Sequence, residues 1–170
     1  MENLLLLFAQ QGKKVLLVDT DLRKPTIHKK FGVHNHIGLS SVIMKKHAIE
    51  EAIIDASVEN LSILTCGPIP PNPAELLTSK TMENLLGKLY QEFDVIILDT
   101  PPALAVADAQ ILSKHADGVI LVVASGKTET EQGKKAKQLL LSANAPLLGV
   151  VLNNKKQAKN DYYYYYGHDE

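Results

Sequence analysis

Short runs, apolar throughout except for Ser62, recur along this chain between stretches of helical periodicity, at Val15–Val18, Leu61–Leu64, Val95–Leu98, Val119–Val123 and Leu147–Leu152. A strand with one wet face alternates apolar and polar residues, whereas a run without alternation needs cover on both faces. The pattern predicts buried parallel strands in a three-layer α/β domain, a mostly parallel sheet with helices on both faces. Met82, Leu85, Leu86, Leu89 and Phe93 fall at helical spacing, as do Ala136, Leu139, Leu140 and Ala143, and these stripes supply two of the covering helices. At 170 residues and 45% hydrophobic content the chain is sized for a single core.

Turn chemistry follows three of the predicted strands: Arg23-Lys24-Pro25, Gly67-Pro68-Ile69-Pro70-Pro71-Asn72-Pro73 and Thr100-Pro101-Pro102. Ligands of open α/β sheets bind outside the carboxyl ends of the strands, so these loops mark the expected active edge. Two strands deliver carboxylates there. Val15–Val18 runs into Asp19-Thr20-Asp21-Leu22-Arg23, and Val95–Leu98 ends in Asp99. Asp19 and Asp21, at alternate positions, can share one cation that offsets their repulsion, and a hard metal is the natural choice. Aspartates also cap turns and helix starts, which is the plainer reading of either one alone. Two apolar strands each ending in Asp favour the metal reading, since an aspartate at the end of an apolar strand holds Mg²⁺ in many NTPases.

The remaining chemistry-bearing residues read more quietly. His28, His34 and His36 match no tight ligand spacing and are read as solvated loop histidines. Cys66, the only cysteine, is read as a buried, inert thiol and fits a reducing interior. With 18 Lys+Arg against 19 Asp+Glu the net charge is −1, which gives no bulk reason to expect nucleic acid. Lys127, Lys134, Lys135 and Lys137 are the wet face of a helix. The longest early apolar run, Leu4 to Ala9, falls far short of the roughly 20 residues that cross a bilayer, so a cytoplasmic chain is expected. The domain is expected over 1–154. Residues 155–170, polar around Tyr162, Tyr163, Tyr164, Tyr165 and Tyr166, are expected to be a flexible tail.

These residues carry a resemblance. Leu16-Leu17-Val18-Asp19-Thr20-Asp21-Leu22-Arg23-Lys24-Pro25 resembles the Walker A′ motif of bacterial tyrosine kinases of the capsule and exopolysaccharide type, and Ile96-Ile97-Leu98-Asp99-Thr100-Pro101-Pro102 resembles their Walker B motif. Gly38-Leu39-Ser40-Ser41, Pro71-Asn72-Pro73-Ala74-Glu75-Leu76-Leu77, Gly149-Val150-Val151-Leu152-Asn153 and the tyrosine run extend the likeness from residue 3 to the end.

The resemblance implies a deviant-Walker, MinD-like phosphate-loop fold. It also implies ATP and Mg²⁺, with Asp19, Asp21 and Arg23 as catalytic residues and Asp19, Asp21 and Asp99 around the metal. Which aspartate takes the proton stays open. Arg23 either stabilises phosphate charge or pairs with Asp19 or Asp21. Asn153 and Asn154 are expected at the nucleotide base, and Tyr162–Tyr166 as phosphoacceptors that the domain modifies itself. Full modification would add roughly −8 to −10 charges. Family partners are a membrane-embedded activator protein controlling polysaccharide chain length, which would recruit the domain to the inner face of the membrane, and further copies of the kinase.

One family element has no match. A glycine-rich loop ending Gly-Lys-Ser/Thr cradles the phosphates, and none of Gly12-Lys13, Gly87-Lys88, Gly126-Lys127 or Gly133-Lys134 has its spacing and setting. The segment from Met1 resembles the helix after that loop, so 1–154 is expected to be a truncated kinase domain missing the phosphate-loop strand. Losing that cradle costs phosphoryl transfer at least about 3–5 kcal/mol, so residues 1–170 alone are expected to be inactive. The alternatives are a MinD/ParA-like ATPase switch and a non-catalytic phosphoacceptor or interaction fragment.

Overall fold

The computed structural model describes residues 2–155, which form α1 (Glu2–Gln10), β1 (Val15–Asp19), α2 (Ile27–Phe31), α3 (Leu39–Ile43), α4 (Ile49–Ala52), β2 (Ile53–Asp55), β3 (Leu61–Leu64), α5 (Pro73–Leu77), α6 (Lys80–Glu92), β4 (Val95–Asp99), α7 (Asp108–Ser113), β5 (Val119–Ala124), α8 (Thr130–Ser142) and β6 (Leu147–Asn153). The five predicted strands and both predicted helices are present. β1 pairs in parallel with β3 and with β4, and β2 adds an antiparallel edge, giving the order β2-β3-β1-β4.

Side chains alternate across a strand, and β1 uses both faces. Leu16 and Val18 join the core made by α3, α4, α6 and α7, with Leu39, Ile43, Met82, Leu86, Leu89 and Leu112. Val15 and Leu17 turn to the opposite core, with Leu5 and Ala9 of α1, Ile27 of α2, and Leu61 and Ile63 of β3. This is the cover on both faces that an unbroken apolar strand requires. α6 forms where its stripe predicts: Ser79 caps it by accepting from the Met82 N–H at 3.2 Å, and Met82, Leu85, Leu86 and Leu89 are buried. α8 buries Ala136 and Leu140 of its stripe and exposes Lys134, Lys135 and Lys137, whereas Lys127, expected on the same helix, is exposed in the turn before it.

Two features depart from the sequence expectation. β2 is a three-residue antiparallel strand directly after α4, too short for periodicity to reveal. The second departure concerns the last two strands. β5 and β6 pair in parallel with each other but form a separate sheet, so among the described residues β4 has a strand partner only in β1. Expected to be buried, they leave apolar side chains in water, with Val122 56%, Leu148 72% and Val150 54% exposed. α8 covers β5, but no second layer covers the other face of this pair among the described residues. The resemblance places a phosphate-loop strand beside the Walker B strand, and β4, like β2 at the other side of the sheet, has one edge without a strand partner among the described residues.

Candidate functional site

The site is built at the carboxyl ends of β1, β3 and β4. Parallel pairing of β1 with β4 runs in register from Val15↔Val95 to Asp19↔Asp99, so the two strand-end aspartates stand side by side. The backbone N–H and hydroxyl of Thr20 both donate to the Asp99 carbonyl, at 2.9 and 2.6 Å, and tie the two loops together. The third loop is fixed from below. Asn35 accepts from the Gly67 N–H at 2.8 Å and donates to the Gly67 carbonyl at 2.9 Å, while Ser40 donates its hydroxyl to the Pro68 carbonyl at 2.6 Å. Gly67 has φ 78°, and a Cβ on Gly38 would collide with the backbone of Gly67 and Thr65, so both positions need glycine.

The aspartates divide the labour. Asp19 is fully buried, with one carboxylate oxygen accepting from the Asp21 N–H (3.3 Å) and the other from the Thr26 (3.2 Å) and Ile27 (3.0 Å) N–H groups. Burial raises its pKa, and those three backbone donors oppose the rise. Asp21 accepts on Oδ1 from the Arg23 (3.1 Å) and Lys24 (2.9 Å) N–H groups. The capping reading thus holds for both, whatever further role they have. Asp99 is different: its carboxylate receives no hydrogen bond from the protein among the described residues. Burial raises its pKa, the charge of Asp19 adds to the rise, and Lys30 counters it.

This excess of negative charge at two strand ends is what a divalent cation would offset. The three aspartates do not form a ready ligand set, however, and no group of three His, Cys, Asp or Glu side chains among the described residues is arranged to hold a metal ion. Asp19 has both oxygens engaged, Asp21 has Oδ1 engaged, and Asp99 is the acid of the three whose carboxylate receives no hydrogen bond among the described residues. Cys66 lies just beyond β3 and is buried as expected; burial, then the charges of Asp19 and Asp21, push its thiol up to about 12, which disfavours the reactive thiolate.

Arg23 corrects one expectation. Its guanidinium pairs with neither Asp19 nor Asp21 but with Asp108 at the start of α7, Nε to Oδ2 at 3.0 Å and Nη2 to Oδ1 at 3.1 Å. Nothing in the sequence marks Asp108 beyond its place at a helix start.

A cavity of about 290 Å³ lies beside this edge, lined by Asn3, Leu5, Leu17, Ile27, Lys30, Phe31 and Asn153. Lys30 lines this cavity and its charge also opposes the rise in the Asp99 pKa. Asn153 reaches the cavity. Asn154 is not among the lining residues: it takes a left-handed turn, φ 58°, and donates its N–H to the Asn153 side chain at 2.9 Å. Lys30 and Asn3 escaped the sequence reading because a lysine on a short helix and an asparagine near the chain start carry no pattern. Among the described residues no histidine belongs to a group arranged to hold a metal; His28 lies in α2 rather than in a loop, and the rings of His34 and His36 stack at 5.9 Å. Tyr162–Tyr166 lie outside the described residues.

Comparison with known proteins fits this geometry. The AAA domain family profile matches residues 1–142. The chain is 55% identical to tyrosine-protein kinase YwqD of Bacillus subtilis (strain 168) over 89% of its own length and 64% of that protein's, so it spans somewhat under two thirds of this relative. The crystal structure of the chimerical protein CapA2B2 superposes with a TM-score of 0.89 at 44% identity, over 92% of this chain and 69% of that one. The VpsO kinase domain gives 0.86 at 35% identity, over 91% and 76%. At 24% identity the septum site-determining protein MinD from Pyrococcus horikoshii shares the fold, with a TM-score of 0.73. From the paired strand ends to the sheet that presents them, the chain belongs to the bacterial tyrosine-protein kinase family.

Proposed function

We propose that this chain supplies the metal-side and acceptor-side chemistry of a protein-tyrosine kinase that uses Mg-ATP and modifies its own terminal tyrosines. The observation that carries this reading is the β1–β4 register, which sets Asp19 beside Asp99, whose carboxylate receives no hydrogen bond among the described residues. Asp99 is suited to hold Mg²⁺ through water, and ATP supplies the phosphoryl group when bound. Asp19 holds the loop after β1 in shape through three N–H groups. Asp21 Oδ2 accepts from no protein donor among the described residues, which suits Asp21 to take the proton from a tyrosine hydroxyl. Asn153 and Lys30, which both line the cavity, suit the base and an anionic part of a nucleotide. The acceptors are Tyr162–Tyr166.

A second reading is favoured by the sequence itself, which holds no glycine-rich phosphate loop within its 170 residues. On that reading the chain is a phosphoacceptor or interaction module. One experiment separates the two: the purified chain is incubated with labelled Mg-ATP, alone and with an active kinase of the family. Little or no incorporation alone and strong incorporation at Tyr162–Tyr166 in the mixture is expected of residues 1–170. Incorporation in neither case would sink the assignment of the tyrosines as acceptors. Robust incorporation alone would show that the phosphates are held without a glycine-rich loop. The activator protein of the membrane, assembly with further copies, and a role in capsule or exopolysaccharide synthesis are proposals of the same rank. No described helix is long and apolar enough to cross a membrane.

A further inference from the structure

The ion pair between Arg23 and Asp108 joins the two loops that leave the acidic strand ends. Asp108 opens α7, at the far end of the loop that begins at Asp99. Its side chain is 0% exposed, whereas that of Arg23 is 37% exposed. Both carboxylate oxygens are spent on Arg23, and no other donor reaches them among the described residues. A buried carboxylate with a single charged partner depends on that partner, and a side-on fork fixes the plane of the guanidinium as well as its position. At its root Arg23 is held again, by its backbone N–H on Asp21 Oδ1 at 3.1 Å. A guanidinium carries five N–H groups. Those not engaged by Asp108 have no protein acceptor among the described residues.

We infer that Asp108 is a positioning residue, one that holds Arg23 so that its remaining N–H groups serve the terminal phosphoryl group of a bound nucleoside triphosphate. The inference rests on the kinase reading for the identity of the ligand. It makes the guanidinium a shared part of both loops. Arginine is required there, because a lysine ammonium has no second edge with which to meet Asp108 and a phosphoryl group at once.

The test is calorimetric titration of the protein at its natural length with MgADP and with MgATPγS, for the wild type, Arg23→Ala, Arg23→Lys, Asp108→Asn and the Arg23→Ala/Asp108→Asn double variant. The wild type is expected to prefer MgATPγS. Arg23→Ala and Asp108→Asn should each reduce that preference by about tenfold, as loss of a charge-assisted hydrogen bond does. The double variant should lose no more than either single one, and Arg23→Lys should fail to restore the preference. If Asp108 serves the fold alone, Asp108→Asn lowers the melting temperature and leaves the preference at the wild-type value. That result, additive losses, or a wild type that binds both nucleotides equally would overturn the proposal. Asp108→Glu keeps the charge and displaces the guanidinium by about one methylene. It should melt near the wild-type temperature with a reduced preference, and an unchanged preference would count against positioning. An intact preference in a protein that forms no phosphotyrosine would sink the kinase reading and leave the positioning role standing.

Discussion

At the residue scale, stability and function pull against each other at the strand ends. Burial raises the Asp99 pKa above the ordinary 3.8, so the folded state holds this proton more tightly than the unfolded chain. The sign follows from linkage: stability falls as pH rises from the ordinary carboxylate value through the raised one, and Asp99 is a destabilising charge at neutral pH. Asp99→Asn should therefore have a higher urea midpoint than the wild type at pH 7, and the gap should close as the pH is lowered below the ordinary value. A lower midpoint at pH 7 would contradict the burial assigned to this carboxylate. Asp19 behaves differently because three backbone N–H groups rely on it. Asp19→Ala leaves Thr26 and Ile27 donors without an acceptor and should cost about 1–3 kcal/mol in urea titration. Cys66 should resist thiol reagents at pH 8 in the native state and react only after unfolding, read by mass shift. These roles were unevenly legible. The acids announced themselves as charges ending apolar runs. Asp108 did not, because a partner eighty-five positions along the chain from Arg23 is set by tertiary packing alone.

At the element scale, the apolar runs located the strands but described the environment of β1 better than that of β5 and β6. β1 is buried at every position and reads as an unbroken apolar run. α6 is amphipathic and capped, so Leu86→Ala, at a site 1% exposed, should cost about 2–5 kcal/mol, measured by chemical denaturation. What the sequence hid were the short pieces: β2, with three residues, and α2 to α5, with four or five each, whose placement comes from side chains reaching across loops. The α3 region shows how. Leu39 and Ser40 donate their N–H groups to the Thr65 and Cys66 carbonyls, both at 2.8 Å, so this short helix is moored to the loop after β3. Gly38→Ala would force those backbones apart. It should lower the melting temperature more than Gly87→Ala, since Gly87 lies in α6 with nothing near its missing Cβ.

At the scale of the whole molecule, the sheet falls into two parts of unequal protection. Backbone amides of β1 and β3 lie under helices on both faces, whereas those of β5 and β6 lie in a pair that leaves Val122, Leu148 and Val150 exposed. Native-state hydrogen exchange should rank them accordingly, with β1 amides exchanging last and β6 amides well before them. Equal protection would mean that the pair is covered in solution. The division also separates two distances along the polymer. Val15 must find Val95, whereas Val119 meets Leu147 after 28 residues. Closing the longer loop carries more entropy and delays contact formation. In refolding, the carboxyl-terminal pair can zip early while the union of β1 with β4 waits, and the side-by-side aspartates are assembled only at that late step.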